Sequence, residues 1–205
     1  DPNRVKQVSR YFDRIELQKS KREFVTHTGT IGKKRVSVVG TGIGAGNIDI
    51  TLNELDALVN INLQNRTVND QHHQLRFIRL GTSGALHRSI SVDSLLLSSY
   101  GIGLDGLLSY YAWENNANER HLLALSRESF AASPISSALY VAAGSNQLID
   151  YFLKNRLGLS GITLTCPGFY GAQNRHLRAP LKFYNVVTMA SNIRFQNQIV
   201  TKSLK

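Results

Sequence analysis

Arg35-Val36-Ser37-Val38-Val39-Gly40-Thr41-Gly42-Ile43-Gly44-Ala45-Gly46-Asn47 is a β-branched run that passes directly into a glycine-rich turn. The run alternates and then becomes apolar, the pattern of a half-buried strand. Beyond the turn, Ile48, Leu52, Leu55 and Val59 recur on one helical face, with Thr51-x-x-Glu54 near the start. Strand, turn and helix in that order form the repeating unit of an α/β protein. The alternation continues along the chain. Phe24 to Thr28, Leu75 to Leu80, Ser91 to Ser99 and Gly161 to Thr165 read as strands, and Asp105 to Tyr111 and His121 to Phe130 as helices. A clearer helix is capped by Ser145, carries Leu148, Ile149, Phe152 and Leu153 on one face, and is closed by Gly158. The expected fold is therefore α/β, with a largely parallel or mixed central sheet. With 205 residues, 42% hydrophobic, and no repeat or linker, residues 1–205 read as one domain.

The glycine-rich turn admits two readings. Gly40-x-Gly42-x-x-Ala45 satisfies a loose dinucleotide fingerprint, which seats a pyrophosphate at a helix N-terminus. That fingerprint also requires an acidic residue at the end of the next strand. Here Arg79-Leu80-Gly81-Thr82 stands in that place, so a dinucleotide site is disfavoured. The stretch Phe77-Ile78-Arg79-Leu80-Gly81-Thr82-Ser83-Gly84-Ala85 instead combines a guanidinium, two hydroxyls and two glycines after an apolar run. Glycines permit close backbone approach, and an arginine fork suits phosphate or a similar anion. A strand-to-loop turn with its arginine paired to a carboxylate is the plainer alternative.

Composition narrows the classes. The net charge of +10 raises nucleic acid as a partner, but Lys19-Ser20-Lys21-Arg22 and Lys33-Lys34-Arg35 are short and lack interleaved aromatics. A dedicated nucleic-acid binder is not expected; anionic small substrates suit the charge as well. No apolar run approaches the length of a membrane span, and no signal peptide is evident. The single cysteine, Cys166, excludes an internal disulfide and agrees with a reducing compartment, so a cytoplasmic location is expected. Cys166 has no neighbouring histidine to make it a nucleophile. His72 and His73 lie in the polar stretch Asn62 to Gln74 without a cysteine or carboxylate at ligand spacing, so no metal site is expected.

The most chemically loaded loop is Cys166-Pro167-Gly168-Phe169-Tyr170-Gly171-Ala172-Gln173-Asn174-Arg175, which follows the Gly161 to Thr165 strand. Phe169 suits stacking on a flat ring. Gln173, donor and acceptor at once, suits an imide edge, and Arg175 suits a carbonyl gaining negative charge. An ordinary surface turn is the competing reading.

Five motifs in one order carry a resemblance: Asp1-Pro-x-Arg-Val5, Arg22-Glu-Phe24, Thr41-Gly-Ile-Gly44 followed by Glu54-Leu55, Ile78-Arg-Leu-Gly-Thr-Ser-Gly84, and Gly168-Phe-Tyr-Gly-x-Gln-x-Arg175. Together they resemble the nucleoside phosphorylase family, and the last is similar to its uridine phosphorylase branch. The resemblance implies a distorted mixed sheet flanked by helices. It implies reversible phosphorolysis of a pyrimidine nucleoside, uridine first, to free base and pentose 1-phosphate, with inorganic phosphate as co-substrate and no cofactor or metal. Arg4, Arg79 and Thr82 would hold phosphate, with Arg22 reaching across from a neighbouring subunit of a homo-oligomer. Ser83, Gly84, Phe169, Gln173 and Arg175 would hold the base. Arg79, Thr82, Gln173 and Arg175 would carry the chemistry.

The chain departs from the family pattern in two places. Gly46-Asn47 stands where the family has Pro-Ser after the Gly-Ile-Gly turn, which removes support for a monovalent-cation site near Glu23. The family has a glycine ahead of Asp-Pro and continues past the region of Ile199-Val200-Thr201 into a Glu-Met-Glu segment for the ribose hydroxyls, so the 205 residues are expected to be incomplete at both ends. Alternatives of other kinds are a non-catalytic nucleoside- or phosphate-binding relative and a purine-preferring phosphorylase.

Overall fold

The computed structural model describes residues 2–203. The chain divides at Phe77/Ile78 into two compact units.

The first unit opens with helix α1 (Pro2–Ser9). Asp1 lies outside the described residues, and Pro2 to Ser9 are helical. Proline suits this place because the first turn of a helix needs no backbone donor. Strands β1 (Arg14–Lys21), β2 (Phe24–Ile31) and β3 (Lys34–Gly40) form an antiparallel sheet in sequential order. Only two residues join each pair, and Arg22 takes a left-handed φ of 55° at the first connection, as such tight hairpins require. The glycine-rich turn then leads into helix α2 (Ala45–Asn60), as the periodicity indicated, and a minimal ladder pairs β4 (Ile61–Asn62) with β5 (Thr67–Val68).

The second unit is built on a mixed sheet ordered β7-β6-β8-β10-β9. Its strands are β6 (Leu96–Gly103), β7 (Tyr140–Ala143), β8 (Leu159–Thr165), β9 (Arg194–Phe195) and β10 (Gln198–Ser203). β6, β8 and β10 run parallel, while β7 and β9 are antiparallel at the two edges. Helices α3 (Ala117–Ser129), α4 (Asn146–Lys154) and α5 (Val186–Asn192) accompany the sheet. The core joins Ile102, Val141, Ile162, Leu164 and Val200 from the strands to Leu122 of α3 and Phe130 just beyond it, all buried. Asn116 and Glu119 form a capping box at the start of α3, and the Glu119 carboxylate also accepts from Ala143 N–H at 2.7 Å. One buried carboxylate thereby ties α3 to the end of β7.

Several expectations change: Asp105 to Tyr111 holds only one tight turn (Leu107–Tyr110), α3 begins at Ala117 rather than at His121, and α4 ends at Lys154, short of Gly158, with no side-chain cap bond from Ser145. Leu75 to Leu80 is irregular backbone, with Ile78 70% exposed. Arg76 and Arg79 interrupt the apolar run, and a strand is stable only when a neighbouring strand takes up its backbone groups. The strand expected over Ser91 to Ser99 begins at Leu96 and extends through Gly101 to Gly103. Glycine at 103 admits the Tyr140 ring: a Cβ there would stand 2.0 Å from the Tyr140 Cζ atom.

Candidate active site

In parallel sheets, ligand sites gather beyond the carboxyl ends of the strands, where loops fan out from a rigid edge. Here that edge is defined by register: Gly103 of β6 and Ser203 of β10 both pair with Thr165 of β8. The loop Cys166 to Arg175 leaves from this edge, directly after Thr165.

The loop is held by its own contacts. Residues Gly171–Gln173 make a single tight helical turn, and Tyr170 C=O accepts from both Gln173 N–H and Arg175 N–H at 2.9 Å. Asn174 adopts φ 58°, which asparagine tolerates better than most residues. Its side chain donates to Phe183 C=O at 3.2 Å and accepts from Val187 N–H at 3.2 Å. Asn174 thus fastens the loop to the start of α5. The sequence reading passed over it as a spacer between Gln173 and Arg175, although an asparagine in a glycine-rich turn is a signal for left-handed backbone.

Three of the expected site residues come together here. Phe169 is half exposed, and the Arg175 guanidinium lies 4.0 Å from its ring centroid. Tyr170 meets Phe169 edge to face at 5.3 Å. A flat ligand stacking on Phe169 must use the open face or displace the guanidinium. Gln173 is only 3% exposed; its amide donates to Gly168 C=O at 3.0 Å, while its Oε1 is buried without a hydrogen-bond partner. Such an orphaned acceptor is costly, and a ligand N–H in reach would satisfy it. Beside the loop lies a cavity of about 330 Å³, lined mainly by apolar residues such as Pro167, Ala172, Leu181 and Phe183, with Lys182.

The same edge holds a polar pair that the sequence did not suggest. Tyr140 donates to Asp105 at the end of β6, its oxygen 3.0 and 3.1 Å from the two carboxylate oxygens, and Asp105 also accepts from Leu107 N–H at 2.9 Å. Burial, the Asp105 charge and the hydrogen bond push the Tyr140 phenol well above its ordinary pKa. The two residues lie 35 positions apart in sequence, and only the pairing of β6 with β7 joins them.

The other expected residues lie elsewhere. Thr82 and Ser83 are exposed and Gly84 half-buried in the irregular stretch before β6. The Arg79 guanidinium folds back over Gly81, where a Cβ would meet its Nη1 at 2.9 Å. Arg4, half-buried on α1, and Arg22, exposed at the β1–β2 turn, belong to the first unit. Asn47, at the place where the family has serine, donates to Glu23 at 3.4 Å. Among the described residues no group of three or more His, Cys, Asp or Glu side chains is placed to hold a metal ion. No described helix is long and apolar enough to cross a membrane.

The sequence profile of the phosphorylase superfamily matches residues 1–191. Uridine phosphorylase of Haemophilus influenzae is 28% identical over 176 residues, covering 86% of this chain and 57% of that protein. Uridine phosphorylase of Escherichia coli is 32% identical over 112 residues, covering 55% of this chain and 39% of that protein. The match to the Haemophilus protein thus spans little more than half of its length, and the others less. Among solved structures, a Trypanosoma brucei nucleoside phosphorylase described as showing uridine phosphorylase activity superposes with a TM-score of 0.85 at 24% identity, covering 100% of this chain and 74% of that one. The mixed sheet and its helices are therefore those of the nucleoside phosphorylase fold, and with its profile matched over residues 1–191 this chain belongs to the phosphorylase superfamily.

Proposed function

We propose that this chain belongs to a pyrimidine nucleoside phosphorylase, with uridine as first substrate, acting in nucleoside salvage or catabolism. The observation that carries this reading is the Gly168 to Arg175 loop at the carboxyl edge of β8: an aromatic ring, a guanidinium over it and a buried amide oxygen without a donor. A uracil ring offers what these groups lack: a flat face for Phe169, an imide N–H for Gln173 Oε1, and a carbonyl for Arg175.

Phosphorolysis breaks the bond between the anomeric carbon and the base nitrogen and forms a bond from that carbon to a phosphate oxygen. The electron pair of the broken bond leaves with the base, which gains a proton through solvent to match the one that the hydrogen phosphate gives up. Positive charge builds on the sugar and negative charge on the base, so groups aimed at both lower the barrier. Arg175 and Gln173 stabilise the departing base; Ser83 and Gly84 line its floor; Arg4, Arg79 and Thr82 bind the phosphate that offsets the sugar charge and attacks it. No covalent enzyme intermediate is required. Arg22, exposed at a hairpin tip, suits delivery to the site of a neighbouring subunit, which makes a homo-oligomer the working unit. Phosphate is the co-substrate and no cofactor takes part. We place residues 1–205 in one phosphorylase domain, and a single buried cysteine suits a cytoplasmic enzyme.

The test is release of uracil from uridine, followed by ultraviolet absorbance, with inosine and a phosphate-free reaction alongside. Release from uridine only in the presence of phosphate supports the proposal. Release from inosine but not uridine would replace it with purine phosphorolysis. No release from either, with phosphate binding intact, would favour a non-catalytic relative.

A further inference from the structure

We propose that Ser9 and His27 form a latch that fixes the seat of helix α1 and thereby the position of Arg4, making both of them positioning residues for phosphate. The inference rests on the reading of Arg4 as a phosphate ligand.

The latch is a buried polar contact between the last residue of α1 and the middle strand of the sheet beneath it. Ser9 Oγ lies 2.8 Å from His27 Nδ1, and both residues are buried, at 3% and 6% exposure. Solvent therefore cannot take over this hydrogen bond. His27 is on β2, the middle strand of its sheet, flanked in register by Gln18 of β1 and Val38 of β3. It cannot shift without shifting the sheet. Ser9 is the last residue of α1 and also donates weakly to Lys6 C=O at 3.4 Å.

One turn earlier in the helix, Val5 is buried at 1% exposure and packs on Gly40, where a Cβ would stand 3.2 Å from Val5 Cγ2. Val5 and Ser9, four apart, share one helical face. An apolar contact alone leaves a short helix able to roll, because burial has no direction. A satisfied buried hydrogen bond selects one orientation. Arg4 is about 100° around the helix from Val5 and about 7.5 Å along it from Ser9. A small roll therefore carries its guanidinium a large distance relative to hydrogen-bonding tolerance.

The experiment measures binding of inorganic phosphate and, separately, of uracil to the full chain by calorimetry, together with thermal unfolding. Arg4→Ala is the reference and weakens phosphate about tenfold or more. Ser9→Ala and His27→Leu weaken phosphate about three- to tenfold while leaving uracil affinity within about twofold. Ser9→Thr, which restores the hydroxyl, recovers most of the affinity. Ser9→Ala is mild enough to fold even where His27→Leu is not. Phosphate affinity unchanged in Ser9→Ala, or phosphate and uracil weakened equally, overturns the latch. No phosphate binding by the native chain, or no effect of Arg4→Ala, overturns the underlying reading of Arg4 instead.

Discussion

Two short stretches of the second unit carry most of the expected chemistry, and they are built in opposite ways. The Gly168 to Arg175 loop is pinned by backbone bonds to Tyr170, by the Asn174 side chain, by buried Gln173 and by the guanidinium on Phe169. Arg79 to Gly84 is irregular and largely exposed, with Arg79 curled over Gly81. A base is recognised by the directions of its hydrogen bonds, and directional recognition is cheapest when the groups are held in place beforehand. Phosphate presents charge on all sides, so an exposed guanidinium and nearby hydroxyls can bind it without one fixed set of directions. The difference matches the two kinds of ligand proposed for these stretches.

Substitutions can break this comparison. The largest effect is expected from Arg175→Ala. Losing one contact to charge that develops in the transition state commonly costs about 2.7–4 kcal/mol, so turnover of uridine should fall about a hundredfold or more. Steady-state kinetics with undiminished turnover would remove Arg175 from the mechanism. Arg79→Ala comes next: the phosphate concentration for half-saturation should rise about tenfold, with the melting temperature nearly unchanged because the stretch is exposed. A large loss of stability would show that this stretch is as firmly built as the other.

Asn174→Ala should act the other way, mainly on stability. It removes both side-chain bonds and leaves a β-carbon-bearing residue at φ 58° without asparagine's local compensation, costing about 1–3 kcal/mol in denaturant unfolding. Unchanged stability would mean the loop is not held by its own contacts. The smallest effect concerns the polar pair Asp105 and Tyr140 at the same sheet edge. Tyr140 has a raised pKa in the folded chain, so above about pH 10 the unfolded chain loses this proton while the folded chain keeps it. That contribution to stability is complete below about pH 10 and declines as pH rises further. Tyr140→Phe should lower stability at neutral pH and flatten the alkaline decline; an unaltered decline would exclude Tyr140 as its source.

The residues Gly168 to Arg175 were legible because their chemistry is local: a ring, an amide and a guanidinium within one loop after a recognisable strand. What the loop does with them was not legible. Gln173 was expected to face a ligand with both of its functional atoms, yet its amide nitrogen is spent on Gly168 C=O and only Oε1 is left without a partner. Leu75 to Leu80 misled for the opposite reason. Its composition is that of a strand, but pairing, which composition does not encode, decides whether a strand forms.

By itself the sequence determined what short range can specify. The glycine turn between β3 and α2, the start of α4 after Ser145, and the β-branched β8 follow from backbone sterics and periodicity within a dozen residues. The ordered motifs specified the family. Tertiary structure alone decided the register that aligns Gly103, Thr165 and Ser203 at one edge, the union of Asp105 with Tyr140 across β6 and β7, and the burial of Ser9 against His27. Each of these joins residues far apart in the chain, and such contacts exist only after the strands have paired and α1 has packed on its sheet.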